Sequence, residues 1–305
     1  MSRRSLLVAA LGGSALVTFL AACGNPNVDT AGTTPGTTPG TTPATTPATT
    51  PATTPATGIV HPTGIDDLVI RIGYEGGFVA QGFHFVNMPS LLISGDGRAF
   101  TPAVMPAVYP GPLVAPMFVR SINEAGMQQL LALADTAGLL TAPPDYSSDA
   151  DNMVADAANT VVTIAANGET FVHSAYALGL LTGTESESTP ARVALLAFVT
   201  AAEDLTAAAG AENLGVDEIL VPTDYRMQSY VVAEADVASA DPAPTFVDWP
   251  TSTGVALADA IDCARLTADA AGSTFSAANQ NTYFREAGVL YRIAVAGVLP
   301  GDPAC

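Results

Sequence analysis

The residues able to do chemistry are few. The chain has three histidines, three cysteines and 29 acidic side chains, and all ten of its Lys/Arg positions are arginine. Four aspartates, Asp145, Asp149, Asp151 and Asp156, fall within twelve residues. Carboxylates gathered on one loop can bind calcium, which takes roughly six to eight oxygens. Their spacing is not that of an EF-hand, because no glycine occupies the sharp turn and no glutamate closes it. A solvated acidic loop fits the same residues, with Asp156 capping local amides ahead of a strand. The four aspartates are therefore the candidate metal ligands, and the pattern selects no metal.

His61, His84 and His173 are widely spaced and form no His-Glu-x-x-His pattern. With two cysteines far apart, they do not suggest the converging ligands of a zinc site. His173 and Ser174 are neighbours on a predicted strand, so they face opposite sides and cannot form a nucleophile–base pair. The body has no Gly-x-Ser-x-Gly, hence no nucleophile elbow. The absence of lysine excludes a Schiff base, a phosphate-loop Gly-Lys-Ser/Thr and a Ser-x-x-Lys acyl-transfer site. A net charge of −19 opposes binding to nucleic acid, whose phosphates need cations on the protein. No catalytic residues and no cofactor are expected. Tyr74, Phe78, Phe83, Phe85, Tyr109 and Trp249 can serve either as core or as the lining of a carbohydrate or peptide groove.

The cysteines are more informative. Met-Ser-Arg-Arg is followed by an apolar run, Leu6 to Ala22, and then Cys23. A charged start, a short apolar segment and small residues before a cleavage point make a signal peptide, here residues 1–22. Leu20-Ala21-Ala22-Cys23 resembles a bacterial lipobox, which implies that Cys23 is acylated and becomes the first residue of the mature chain. An ordinary signal cleaved nearby is the alternative. Arg3-Arg4 fits a twin-arginine signal or an ordinary one equally. With Cys23 lipidated, Cys263 and Cys305 remain, and an even remainder in an exported chain predicts a disulfide between them.

Residues 23–57 hold six tetrapeptides from Thr33 to Ala56, Thr-Thr-Pro-Gly twice and Thr-Thr-Pro-Ala four times. Proline at every fourth position blocks helix and sheet, so a disordered linker is expected. The body, residues 58–305, is about half apolar and should bury a core. Strands are predicted over Asp67–Glu75 and in hairpins about Gly95-Asp96-Gly97 and Asn167-Gly168. The proline-studded stretch from Pro102 to Pro116 reads as loop or edge strand. Ser121 to Glu124 matches a capping box opening a helix that Gly138 stops. Thr189-Pro190 opens a second helix to about Leu205, apolar nearly all round and so expected to be buried. Strands over Glu218–Val221 and Tyr225–Ala233 follow, then a loop around Trp249, a helix over Val255–Leu266 and a last hairpin, Thr282–Arg285 with Val289–Val295. Strands and helices in blocks predict an α+β fold with a mainly antiparallel sheet and packed helices. One domain, or two similar halves joined near residue 210, both satisfy the pattern.

Several short segments carry a resemblance. They include Gly76-Gly77-Phe78, Met88-Pro89, Gly95-Asp96-Gly97-Arg98, Tyr109-Pro110-Gly111-Pro112, Ala155-Asp156-Ala157, Ala277-Ala278-Asn279 and Val298-Leu299-Pro300. Together these resemble an uncharacterised family of actinobacterial cell-surface lipoproteins. The resemblance implies the extracytoplasmic address and the α+β class, and no activity. The expected function is that of a lipid-anchored module on the outer face of the cell membrane, binding or supporting components of the envelope or cell wall. The alternatives are a carboxylate-dependent hydrolase of envelope glycans, marked by a deep cleft with two inward carboxylates, and a transport-linked solute binder, marked by two lobes and a hinge.

Overall fold

The computed structural model describes residues 58–105, 107–148, 154–180 and 189–305. Cys23, the signal, the linker, Asp149 and Asp151 lie outside the described residues. Among the described residues the strands form a seven-stranded and a five-stranded sheet, and all strand pairings but one are antiparallel. The body is α+β, as its blocks of strands and helices predict.

The first sheet has the order β6-β5-β1-β2-β3-β4-β7. Its strands are β1 (Leu68–Glu75), β2 (Leu91–Ser94), β3 (Arg98–Pro102), β4 (Met117–Ser121), β5 (Asn159–Ala166), β6 (Glu169–Tyr176) and β7 (Glu218–Ile219). Every residue of β2 is buried, so both faces of the sheet are covered. Leu91 and Ile93 pack into the larger core with Ile70, Ile72, Val162 and Ile164. Leu92 points the other way, onto Phe100, Met117 and Leu299. A register shift between Leu68 and Ile70 lets Val69 and Ile70 both enter the larger core, against simple alternation.

Three helices cover that core: α2 (Glu124–Thr136), α3 (Pro190–Glu203) and α4 (Leu205–Ala209), while the single-turn α1 (Phe83–Val86) lies beyond β1. The expected buried face of α2, Met127, Leu130, Leu131 and Ala134, is the observed one. Its cap differs from the expectation. Asn123, not Ser121, accepts the Gly126 amide at 3.0 Å, because Ser121 is held in β4 opposite Arg98. Gly138 takes φ 75°, and the amides of Gly138 and Leu139 return to Asp135 and Ala134, closing the helix. Thr189 caps α3 with proline at its first turn, as predicted. That helix is not buried all round. Val193 is 52% exposed, and Asp204 breaks the helix and caps α4.

The second sheet has the order β10-β8-β12-β11-β9, from β8 (Asp224–Val231), β9 (Thr245–Asp248), β10 (Ala264–Thr267), β11 (Thr282–Glu286) and β12 (Val289–Gly297). Tyr225, Met227, Trp249, Phe275, Phe284 and Tyr291 form its core. The stretch around Trp249 is more than loop. It contains β9, which pairs with β11 as the one parallel edge. The helix predicted over Val255–Leu266 does not form. A 3₁₀ turn, Leu257–Ala260, leads through Cys263 into β10. The helix starts later, as α6 (Ala268–Ala277), after a four-residue α5 (Glu234–Val237), because Thr267 caps it through the Ala270 amide. Cys263 therefore lies in a loop, not on a helix.

The chain leaves the first sheet after Ile219 and enters the second at Asp224, later than the predicted point near 210. The sheets differ in strand number and order, so the body is not two similar halves. It is one compact unit. The C-terminal segment laces the sheets together. After β12, Leu299 enters the Leu92 cluster, the Gly301 amide reaches the Asp66 carbonyl, and Cys305 closes a disulfide with Cys263 at a Cα–Cα distance of 5.1 Å.

Candidate functional site

Strand alternation places the central side chain of the site. Along β8, Tyr225 and Met227 point into the second core, so Arg226 between them points out of it, toward the first sheet. On β1, Arg71 faces away from the Ile70/Ile72 core for the same reason. Asp302, whose side chain is 2% exposed, sits between them. Arg71 Nη1 donates to Asp302 Oδ1 at 3.2 Å, and Arg226 Nε lies 3.7 Å from Oδ2. The Leu299 amide donates to the same Oδ2 at 3.0 Å. Two guanidiniums thus share one carboxylate. Phe85 lies under Arg226, with the guanidinium carbon 5.1 Å from the ring centroid. Arg226 Nε is buried and has no hydrogen-bond partner among the described residues.

Arg226 lies in the wall between two cavities. One, about 220 Å³, is apolar and lies where the sheets meet; its lining includes Val86, Val114, Met117, Leu220 and Phe275. The other, also about 220 Å³, is polar and lined by Arg71, Tyr74, Glu75 and His84. They share Asn87, Met88, Pro89 and Arg226. The Asn87 side-chain Nδ2 donates to the Tyr74 carbonyl, which fixes the segment carrying that shared wall. Burial, then the hydrogen bond and the charge of Glu203, push the Tyr74 phenol up to about 12. It is therefore a proton donor at neutral pH, and its bond to Glu203 Oε1 is 2.8 Å. A wider groove of about 610 Å³ over α2, α3 and α4 is lined chiefly by alanine and threonine, and its one carboxylate, Asp204, is occupied in capping α4.

The candidates read from the sequence are not brought together. Among the described residues, no three His, Cys, Asp or Glu side chains converge as metal ligands. Asp145 accepts the Ser147 amide at 2.9 Å in a local turn, and that bond holds its carboxyl below the usual range. Asp156 adopts φ 59°. The aromatic set does not make one groove. Trp249 is buried against Phe275 and Phe284, Phe78 and Tyr109 are exposed on loops, and Tyr74 and Phe85 alone contribute to the cavity region. His84 lies on α1, and His61 pairs with Glu124 at 3.1 Å.

His173 is structural. Its Nε2 is 2.9 Å from the Leu139 carbonyl, which can only accept, so Nε2 carries the proton. Nδ1 must then accept from the Tyr146 hydroxyl, 2.8 Å away. Ser174 is on the exposed side of the strand, as alternation requires. Burial lowers the His173 pKa, outweighing the opposing bond to Leu139. The folded state therefore resists protonation more than the unfolded chain does. The stability this neutral ring contributes is complete above the unfolded value of about 6.5 and is lost as pH falls through the lower folded value. Melting curves between pH 8 and pH 5 should show wild type losing more stability than His173→Gln. Parallel curves would exclude this origin.

No family model, no curated protein and no solved structure matches the chain.

Proposed function

We propose that this protein is a binding module tethered to the outer face of the cell membrane through lipid on Cys23, as in the surface lipoproteins it resembles. The observation that carries the binding half is the apolar cavity between the sheets. Its volume of about 220 Å³ is far above that of a single water, for which the liquid volume is ~30 Å³. With the polar cavity beside it, the region reaches the size of small-molecule sites, roughly 300–1,000 Å³. The lining supports binding over hydrolysis. Glu75 is the one carboxylate among the described residues lining the two cavities, and these therefore offer no counterpart to the paired acids of a glycosidase. The single compact body gives no support to a hinged two-lobed solute binder.

A neutral fluorophore, N-phenyl-1-naphthylamine, reads the cavity directly. It should bind the folded body saturably, and Ala115→Phe, which fills the apolar cavity, should remove that binding while the melting transition persists. Failure of the wild type to bind would refute the cavity reading. Detergent phase partitioning reads the anchor: wild type should enter the detergent phase and Cys23→Ser the aqueous phase, because two or more acyl chains give stable anchoring at ~0.8 kcal/mol per buried methylene. Both partitioning alike would remove the lipid.

A further inference from the structure

We propose that the ligand is an amphipathic carboxylate, a short apolar chain ending in a single negative charge, held with its chain in the inter-sheet cavity and its head on Arg226. The inference rests on the binding reading above and specifies its ligand. Three features point to the head group. Arg226 borders both the apolar and the polar cavity, so a molecule filling the first presents its end to this side chain. Its side chain is only 15% exposed, and the buried Nε lacks a hydrogen bond. A buried guanidinium N–H without a hydrogen bond is costly unless an acceptor arrives, and a planar carboxylate matches the guanidinium fork. Finally, Arg71 and Arg226 share Asp302, which leaves one positive charge in excess within that buried cluster of the described residues, in a chain of net charge −19.

The sign and size of the ligand charge follow from the neighbours. Asp302 is buried beside the site, and Glu75 stands at its exposed edge. Within the buried cluster of Arg71, Arg226 and Asp302 a monoanion balances the one excess cation and a dianion such as an alkyl phosphate exceeds it, while Glu75, exposed to solvent, adds a screened repulsion that disfavours the dianion further. Phe85 under the guanidinium keeps Arg226 in place without using its in-plane donors. His84 and the Tyr74 hydroxyl lie in the polar cavity wall but are not needed to set the charge.

Competition against bound N-phenyl-1-naphthylamine tests this with octanoate, octanol, octylamine and octyl phosphate as competitors. Octanoate should displace the probe at about tenfold lower concentration than octanol, the ratio expected for one charged hydrogen bond. Octylamine and octyl phosphate should both compete less well than octanoate. In Arg226→Gln the advantage of octanoate over octanol should vanish, and in Arg226→Lys part of it should remain. Because Arg226 also faces Asp302, Asp302→Asn provides a second variant in which the arginine is kept; there octanoate should compete better, not worse. Equal competition by octanoate and octanol overturns the carboxylate head and leaves the binding module standing. Stronger competition by octyl phosphate likewise overturns it. Absence of probe binding to wild type refutes the module itself, and the inference falls with it.

Discussion

Replacing Arg192 with methionine should lower the stability of the folded body by about 3 kcal/mol. The side chain is fully buried in the first turn of α3. Nη1 donates to the Tyr146 carbonyl and Nη2 to the Tyr176 carbonyl, both at 3.0 Å. These acceptors are main chain, so no second substitution can remove them. Each left unsatisfied costs ~1–3 kcal/mol, and the relief of burying one cation fewer offsets part of the sum. The fork also ties three elements together: α3, the end of β6 at Tyr176, and the segment where Tyr146 meets His173. Arg192→Lys should recover only part of the loss, since an ammonium lacks the planar fork that reaches both carbonyls. Urea unfolding should show a lower midpoint with an unchanged slope, which assigns the effect to stability rather than to a changed unfolded state. A methionine variant within about 0.5 kcal/mol of wild type would show that Arg192 is not a structural clamp.

This arginine marks the limit of what the sequence makes legible. Elements with short-range signals are where the pattern places them. The hairpin about Asn167-Gly168 joins β5 to β6, Thr189-Pro190 starts α3, and the buried face of α2 follows its helical spacing. Elements that depend on a partner distant in sequence are not legible. The edge strand β9 exists because β11 offers a parallel partner, and its own residues lie among prolines that read as loop. β4 follows Pro116 and is held by β3 and β7. In 255–266 the apolar residues suit a helix, yet the pairing of β10 with β8 wins, and the helix is displaced to the next good cap at Thr267. The site is further still from sequence signals. Arg71, Arg226 and Asp302 are separated by 231 positions between the first and last, and nothing local connects them. One trace was available: Arg71 and Arg226 are charges inside strand patterns whose neighbours are core residues. A charge held half-buried on the outer face of such a strand calls for a partner or a cavity.

Loss of the Cys263–Cys305 disulfide should have the largest effect on stability. The cysteines are 42 residues apart in sequence, and chain entropy for a loop of that length gives ~4 kcal/mol, an upper estimate. For a body of this size each kcal/mol moves the melting temperature by about 2–4 °C, so a shift of roughly 8–16 °C is expected in the Cys263→Ser/Cys305→Ser double variant. The mechanism has a structural signature as well. The bond secures the end of the segment that carries Leu299 into the Leu92 cluster and Asp302 between Arg71 and Arg226. Without it the last residues gain the freedom of a chain terminus. Hydrogen exchange at the Leu299 and Gly301 amides, which bond to Asp302 and to the Asp66 carbonyl, should therefore rise in the variant more than exchange in β1 or β5. Reduction of the wild type should reproduce both changes. Alkylation of the native protein without reductant should label neither Cys263 nor Cys305. Two labelled thiols would show that the bridge does not form, and a variant melting with the wild type would show that it forms without stabilising the strap.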